Sequence, residues 1–122
     1  MLAWTTIFYG AALSALGAAI VVALAARESR LLTALTAAVG AFAGPVTWNA
    51  ILRSTHATQF FVDAQVPVLP ASWQDTGSGV FAIAVTTVLL GIGPLGAHPA
   101  RRTTALALLA GLVAFLVDVY LY

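Results

Sequence analysis

Asn49, Arg53, His56, Phe60 and Asp63 follow one another at steps of four, three, four and three residues. Wound at 3.6 residues per turn, that spacing holds all five within an arc of roughly 80°. A helix continued to about residue 63 would carry one polar stripe of an amide, a guanidinium, an imidazole and a carboxylate, groups that bind protons, ions and small polar ligands. Spacing also decides who can pair. Arg53 and Asp63 would lie about 15 Å apart along such a helix at 1.5 Å per residue, so the carboxylate that answers Arg53 must come from another segment. Asp118, in the last turns of the C-terminal apolar run, is that candidate, because an ionised Asp at membrane depth faces the interior and finds a partner. The candidate polar cluster is Asn49, Arg53, His56, Asp63 and Asp118. It serves either as a clasp between two helices or as a proton, ion or ligand site lined by Asp118, Asn49 and His56.

Other chemistries have less to stand on. His56 with Asp63 and Asp75 would make a mixed nitrogen and oxygen ligand set, but no HxxxH or HxxE spacing fixes two ligands on one helix face. No metal and no cofactor is expected. Ser54 or Ser72 with His56 and an Asp assemble a hydrolase triad only on paper, since no nucleophile-elbow pattern accompanies them. Catalysis is not the expected role. The chain has no cysteine, which removes disulfides, thiolate chemistry and cysteine-ligated clusters. A net charge of +1, with no basic patch beyond a few loop arginines, gives nucleic acid nothing to hold.

The elements that must position these residues are set by an apolar composition. The 122 residues are 61% hydrophobic and 7% charged, far from the balance of a water-soluble domain. Four apolar runs near the bilayer-spanning length of about 20 residues are separated by short charged or Pro/Gly-rich breaks. They predict helices over about 4–26, 31–53 with a continuation to 63 left open, 79–97 and 103–122. None alternates in polarity as a barrel strand would. The expected fold is an all-α integral membrane protein, a single four-transmembrane-helix bundle with one longer extracytoplasmic loop between the second and third helices. The N-terminal run has no basic region before it and is too long for a secretory signal, so it is read as a membrane span.

Arginines give the orientation. Arg27 and Arg30 fall in the first connection and Arg101 and Arg102 in the third, while Arg53 alone falls on the other side. By the enrichment of cytoplasmic loops in Arg and Lys, the multi-pass chain is expected in the cell membrane with both termini and the long loop extracytoplasmic. All five basic residues are Arg and none is Lys, which suggests a GC-rich, prokaryotic genome.

Small residues mark the packing faces. Gly10, Ser14 and Ala18 recur every four residues in the first run, and Gly40 and Gly44 form a GxxxG in the second; in lipid such spacings let helix backbones approach closely. The expected use is packing within the bundle, with homo-oligomerisation or docking on another membrane protein as the alternative. Pro45 should kink the second helix, and "GIGPLG" at 91–96 should be a frayed helix exit. In the long loop, "VPVLP" at 66–70 should be extended. "WQDTGSG" should be a turn leading into the third helix, with Asp75, Thr76 or Ser78 as N-cap. The loop's Phe60, Phe61, Val62, Leu69 and Trp73 are too apolar for a solvated linker, so it should fold back over the outer end. Trp4, Trp48, Trp73, Tyr120 and Tyr122 would form an aromatic belt there.

The length and four-helix layout resemble those of the small multidrug transporters, which rely on a buried Glu in the first helix. Here residues 4–26 contain no carboxylate, and no family is assigned. The expected function is binding, as an accessory subunit of a larger membrane assembly whose partners are the lipid bilayer and other membrane proteins. The alternative is a small carrier or channel-like protein using Asn49, Arg53, His56 and Asp118 near the outer face.

Overall fold

An apolar run with no polar alternation has no use for a sheet edge, and winding into a helix satisfies its backbone groups internally. A computed structural model of the chain, describing residues 2–27, 29–63 and 68–121, is all-helical in that way. Helices α1 (Trp4–Ala25), α2 (Arg30–Ser54), α3 (Trp73–Ile92) and α4 (Ala100–Leu121) are joined in order, with a 3-10 turn at Thr58–Phe61 between α2 and α3. Each of the four is long and apolar enough to cross a membrane. Helix α1 packs on α2 and α4, α3 packs on the same two, and α2 touches α4 across the diagonal. The start of α1, the end of α2, the start of α3 and the end of α4 meet at one end, here the loop end, where Arg53 reaches the Leu2 carbonyl and Gln74 reaches Asp118. The opposite, arginine end carries the two short connections.

Residue size is sorted in a telling direction. Ala11 and Ala18 on α1, Ala37 and Ala41 on α2, Ala82 on α3, and Ala107, Ala110 and Ala114 on α4 have no exposed surface. Many large apolar residues lie outside, with Leu24, Leu31 and Ile92 each more than two-thirds exposed, while a few such as Ile7, Leu52 and Leu90 are buried. A water-soluble protein buries its large side chains and rarely exposes a contiguous apolar patch beyond a few hundred Å². Small inside and large outside is the arrangement of helices that pack in lipid, where close backbone approach replaces the hydrophobic drive.

The small-residue stripes are used within the chain. A Cβ added at Gly44 would stand 2.5 Å from the backbone nitrogen of Ala82 and 2.6 Å from the carbonyl carbon of Phe81, so α2 and α3 touch backbone to backbone there. Gly10, Ser14 and Ala18 are likewise buried. Helix α2 runs without a break through the buried Pro45.

Four helix ends depart from expectation: the end of α2, both ends of α3 and the start of α4. Helix α2 stops at Ser54 and does not continue to 63. Its last turn closes in a Schellman motif in which Ala57 N–H donates to the Leu52 carbonyl (3.1 Å) and His56 N–H to the Arg53 carbonyl (3.4 Å). His56 occupies the left-handed position that Gly usually fills, with φ at 55°. Buried Leu52 and Ala57 supply the hydrophobic contact that accompanies the motif. Helix α3 starts at Trp73, six residues before the expected Gly79. Ser72 is the N-cap: its hydroxyl accepts from Asp75 N–H (3.2 Å), and the Asp75 carboxylate accepts from Ser72 N–H (2.8 Å). This reciprocal capping box satisfies two helix-start donors and turns "WQDTGSG" into helix. At its other end α3 finishes at Ile92, and Leu95 of the "GIGPLG" segment is buried in the core with Leu90 and Leu106. Helix α4 begins at Ala100, three residues ahead of expectation. Val66 and Pro67 of the "VPVLP" segment, and Tyr122, lie outside the described residues.

Gly44→Ala should lower stability by about 1–3 kcal/mol, because its methyl group has only backbone to push against. Gly91→Ala on α3, where an added Cβ meets nothing within 4 Å, should be neutral or stabilising; thermal unfolding in detergent compares the two. His56→Gly should stabilise by about 1 kcal/mol through relief of the left-handed backbone, read in the same assay.

Candidate functional site

Polar side chains gather at the loop end, and Gln74 is their centre. The capping box at Ser72 places Gln74 in the first turn of α3, where its side chain turns into the bundle and is 3% exposed. Its Nε2 donates to Asn49 Oδ1 on α2 (3.2 Å), to Ser78 Oγ one turn along α3 (3.3 Å) and to Asp118 Oδ2 on α4 (3.2 Å). Three acceptors share two N–H bonds, so one amide holds three helices together. Asn49 Nδ2 donates to the Pro45 carbonyl one turn back (2.9 Å).

Aromatic groups fix the surroundings. Trp48 donates from Nε1 to the Gln74 carbonyl (3.0 Å), and its ring packs against Phe81 and Phe60 with centroids 5.2 and 5.9 Å apart. The Tyr120 hydroxyl donates to the Val68 carbonyl. Phe60 and Val68 thus bring the loop back over the bundle, as its composition suggested. Trp4, Trp48, Trp73 and Tyr120 all lie at this end.

Of the five candidates, the structure joins Asn49 and Asp118 through Gln74. Asp63 is exposed on the rim of a polar cavity of about 150 Å³, lined also by Ser72, Gln74, Asp75, Asp118 and Leu2. Three of the chain's four acidic residues therefore face one small space. Arg53 does not pair with Asp118. Its Nη1 donates to the Leu2 carbonyl (2.8 Å), and its guanidinium carbon stands 5.1 Å from the Trp4 ring centroid, so it ties the start of α1 to the end of α2. His56 is exposed in its turn and joins neither the network nor the cavity. The single polar stripe is broken because the chain leaves the helix before His56.

Chemically, the cavity presents carboxylate oxygens and hydroxyls, so it is shaped to accept hydrogen bonds from a small cationic or hydrogen-bond-donating group. Among the described residues no group of three His, Cys, Asp or Glu is placed to hold a metal ion. Beside it, a second hollow of about 310 Å³ is walled by Val62, Asp63, Ala71, Trp73 and Thr76. Its Val62 and Trp73 are 72% and 69% exposed, an apolar surface next to an acidic one. Gln74 was not singled out by the sequence, and Ser72 and Ser78 entered it only as a triad nucleophile on paper and as an N-cap candidate. The signal was present in S-W-Q-D at 72–75, which matches the Ser-x-x-acid capping pattern and would have placed Gln74 and Ser78 one turn apart on a helix. No protein-family model, curated protein or solved structure matches the chain.

Gln74→Leu should cost about 1–3 kcal/mol, since it leaves the buried Asn49 Oδ1 without its Gln74 donor and takes one donor from Asp118. Combined with Asn49→Leu in a double-mutant cycle, the two substitutions should couple by at least about 0.5 kcal/mol. Strict additivity in chemical unfolding would mean that the amide bond between them carries no stability.

Proposed function

We propose that this chain is a multi-pass protein of the cell membrane that works by binding, as an accessory subunit of a larger membrane assembly. The observation that carries this reading is the closed middle of the bundle. From Ala11 to Ala18, Ala37 to Ala41 and Ala107 to Ala114, the core alanines have no surface that a water molecule could touch. The buried hydroxyls of Ser14 and Thr86 have no hydrogen-bond partners, so they do not extend into a polar path. A conducting or carrying protein needs polar groups or water along its axis, and here the hydrogen-bonded side-chain network lies at the loop end, apart from the isolated hydroxyls of Ser14 and Thr86.

Binding then falls to the loop end. Exposed Val62, Val68, Leu69 and Trp73 supply an apolar surface of the kind that marks interaction sites, and the acidic cavity beside them supplies a polar anchor. Aromatic anchors beside fixed charges are the usual composition of binding hot spots. The four arginines of the two short connections favour the cytoplasm by the positive-inside rule, which puts this surface and both termini on the extracytoplasmic side.

The carrier reading rests on the same cavity, because Asp118 faces it from a membrane-depth helix. The two readings part in proteoliposomes. The purified chain should give no proton or cation flux above empty vesicles, and a flux that Asp118→Asn abolishes would overturn the accessory role. In native membranes, a photo-crosslinking side chain at Trp73 should yield one discrete protein adduct. The same group at Leu24, which is 79% exposed on α1, should yield lipid alone.

A further inference from the structure

The seam between α3 and α4 opens outward as a groove that changes character along its length. Toward the loop end a hollow of about 400 Å³ is walled by Gly79, Val80, Ile83, Leu108, Leu112 and Phe115. Toward the arginine end a second hollow of about 280 Å³ is walled by Thr87, Gly91, His98, Ala100, Thr103 and Thr104. Both lie on the same two ridges. On α3, Thr76, Val80, Ile83, Thr87 and Gly91 follow at steps of three or four, and on α4, Ala100, Thr104, Leu108, Leu112 and Phe115 do the same. Residues at those spacings share one helix face, so the two hollows are one groove.

Its floor is set by close approach. A Cβ at Gly111 would stand 2.9 Å from the Gly79 carbonyl oxygen, so the two helices touch there and their flanking side chains diverge. Val80, Leu108 and Leu112 are each about half exposed along its walls. The upper groove is apolar; the lower one adds three Thr side chains and an imidazole.

Charge selects the occupant. Arg27, Arg30, Arg101 and Arg102 all belong to the arginine end, and Glu28 is the one acidic residue in its two connections. Arg101 is exposed and stands three residues before Thr104, a spacing that makes the two neighbours on the helix surface, so a side chain of its length can reach the edge of the polar hollow. One guanidinium nitrogen of Arg102 is buried without a hydrogen-bond partner.

We infer that this groove is a binding site for a membrane phospholipid with an anionic headgroup. An acyl chain lies along the apolar half between α3 and α4, and the phosphate sits in the polar half within reach of Arg101, His98 and Thr104. Basic pockets between membrane helices hold anionic headgroups by this combination of charge and depth. The site rests on the bilayer-spanning reading of the four helices and is independent of whatever binds at the loop end.

The full chain in non-ionic detergent, titrated with phosphatidylglycerol or with phosphatidylcholine of the same acyl chains and followed by native mass spectrometry, tests it. Phosphatidylglycerol should bind about tenfold more tightly. Arg101→Gln should reduce that preference about fivefold, the worth of one arginine near an anionic surface. Gly91→Leu should cut phosphatidylglycerol binding at least tenfold at unchanged Tm, because its side chain enters open space in the groove. Millimolar inorganic phosphate should displace none of the lipid; displacement would identify a free-anion site instead. Equal binding of the two lipids, or wild-type binding by Gly91→Leu, overturns the proposal. Failure of the bilayer reading is distinguishable, since the protein would then be released from native membranes by alkaline carbonate.

Discussion

Close approach of helix backbones is the constraint on which the rest of this structure depends. In lipid there is no gain from moving a leucine out of the solvent, because the solvent is as apolar as leucine. Dispersion contacts between backbones remain, and they fall away within an ångström of separation. Gly44 against Ala82 and Gly79 against Gly111 are the places where α3 comes nearest to α2 and to α4. The fully buried alanines of all four helices extend that contact along the bundle. Large side chains displaced from the core become the surface, which is why no helix has a polar face to give away its orientation.

Small core residues leave little room for polar groups inside, and that explains where those groups go. An amide as large as Gln74 fits at the loop end, where α2, α3 and α4 are finishing or starting and the packing is relieved. Once there, it must satisfy its donors, and it does so on Asn49, Ser78 and Asp118 together. A buried polar network of this kind is costly when half made and specific when complete. Three helices and one amide give it a single geometry. Network and cavity share Gln74 and Asp118, so the group that holds the loop end together also forms the wall of its binding space.

The four helices were legible in the sequence because composition and run length suffice for them, and nothing in tertiary packing can override 20 apolar residues. Small-residue spacing also identified the packing faces of α1 and α2. Helix ends were less legible. Extending α2 to Asp63 followed the periodicity of Asn49, Arg53 and His56, but periodicity does not register a backbone that turns at His56 with positive φ, a role more often marked by Gly. Starting α3 at Gly79 gave two glycines and a Thr more weight than the Ser72 and Asp75 capping pair, and this left Gln74 in a loop. The pairing of Arg53 with Asp118 came from charge and from their shared end and similar depth, which leave helix rotation open. Depth and rotation decide such pairs, and here the Leu2 carbonyl and the Trp4 ring are nearer to Arg53.

Charge is distributed so that the two ends are chemically opposite: four of five arginines at one, three of four acidic residues at the other. Near an anionic leaflet each arginine is worth about 1 kcal/mol, so the arginines that would set the direction of insertion are also those beside the α3–α4 groove. Under the proposed lipid site, orientation and lipid binding would not vary independently. Turning the bundle over would place the groove's polar half against the wrong leaflet and the acidic cavity against the anionic one, where its three carboxylates would be repelled. The buried alanines of the middle link the two ends by continuous packing contact. A partner of the proposed kind would meet, at the loop end, a surface held in place by packing along the whole bundle.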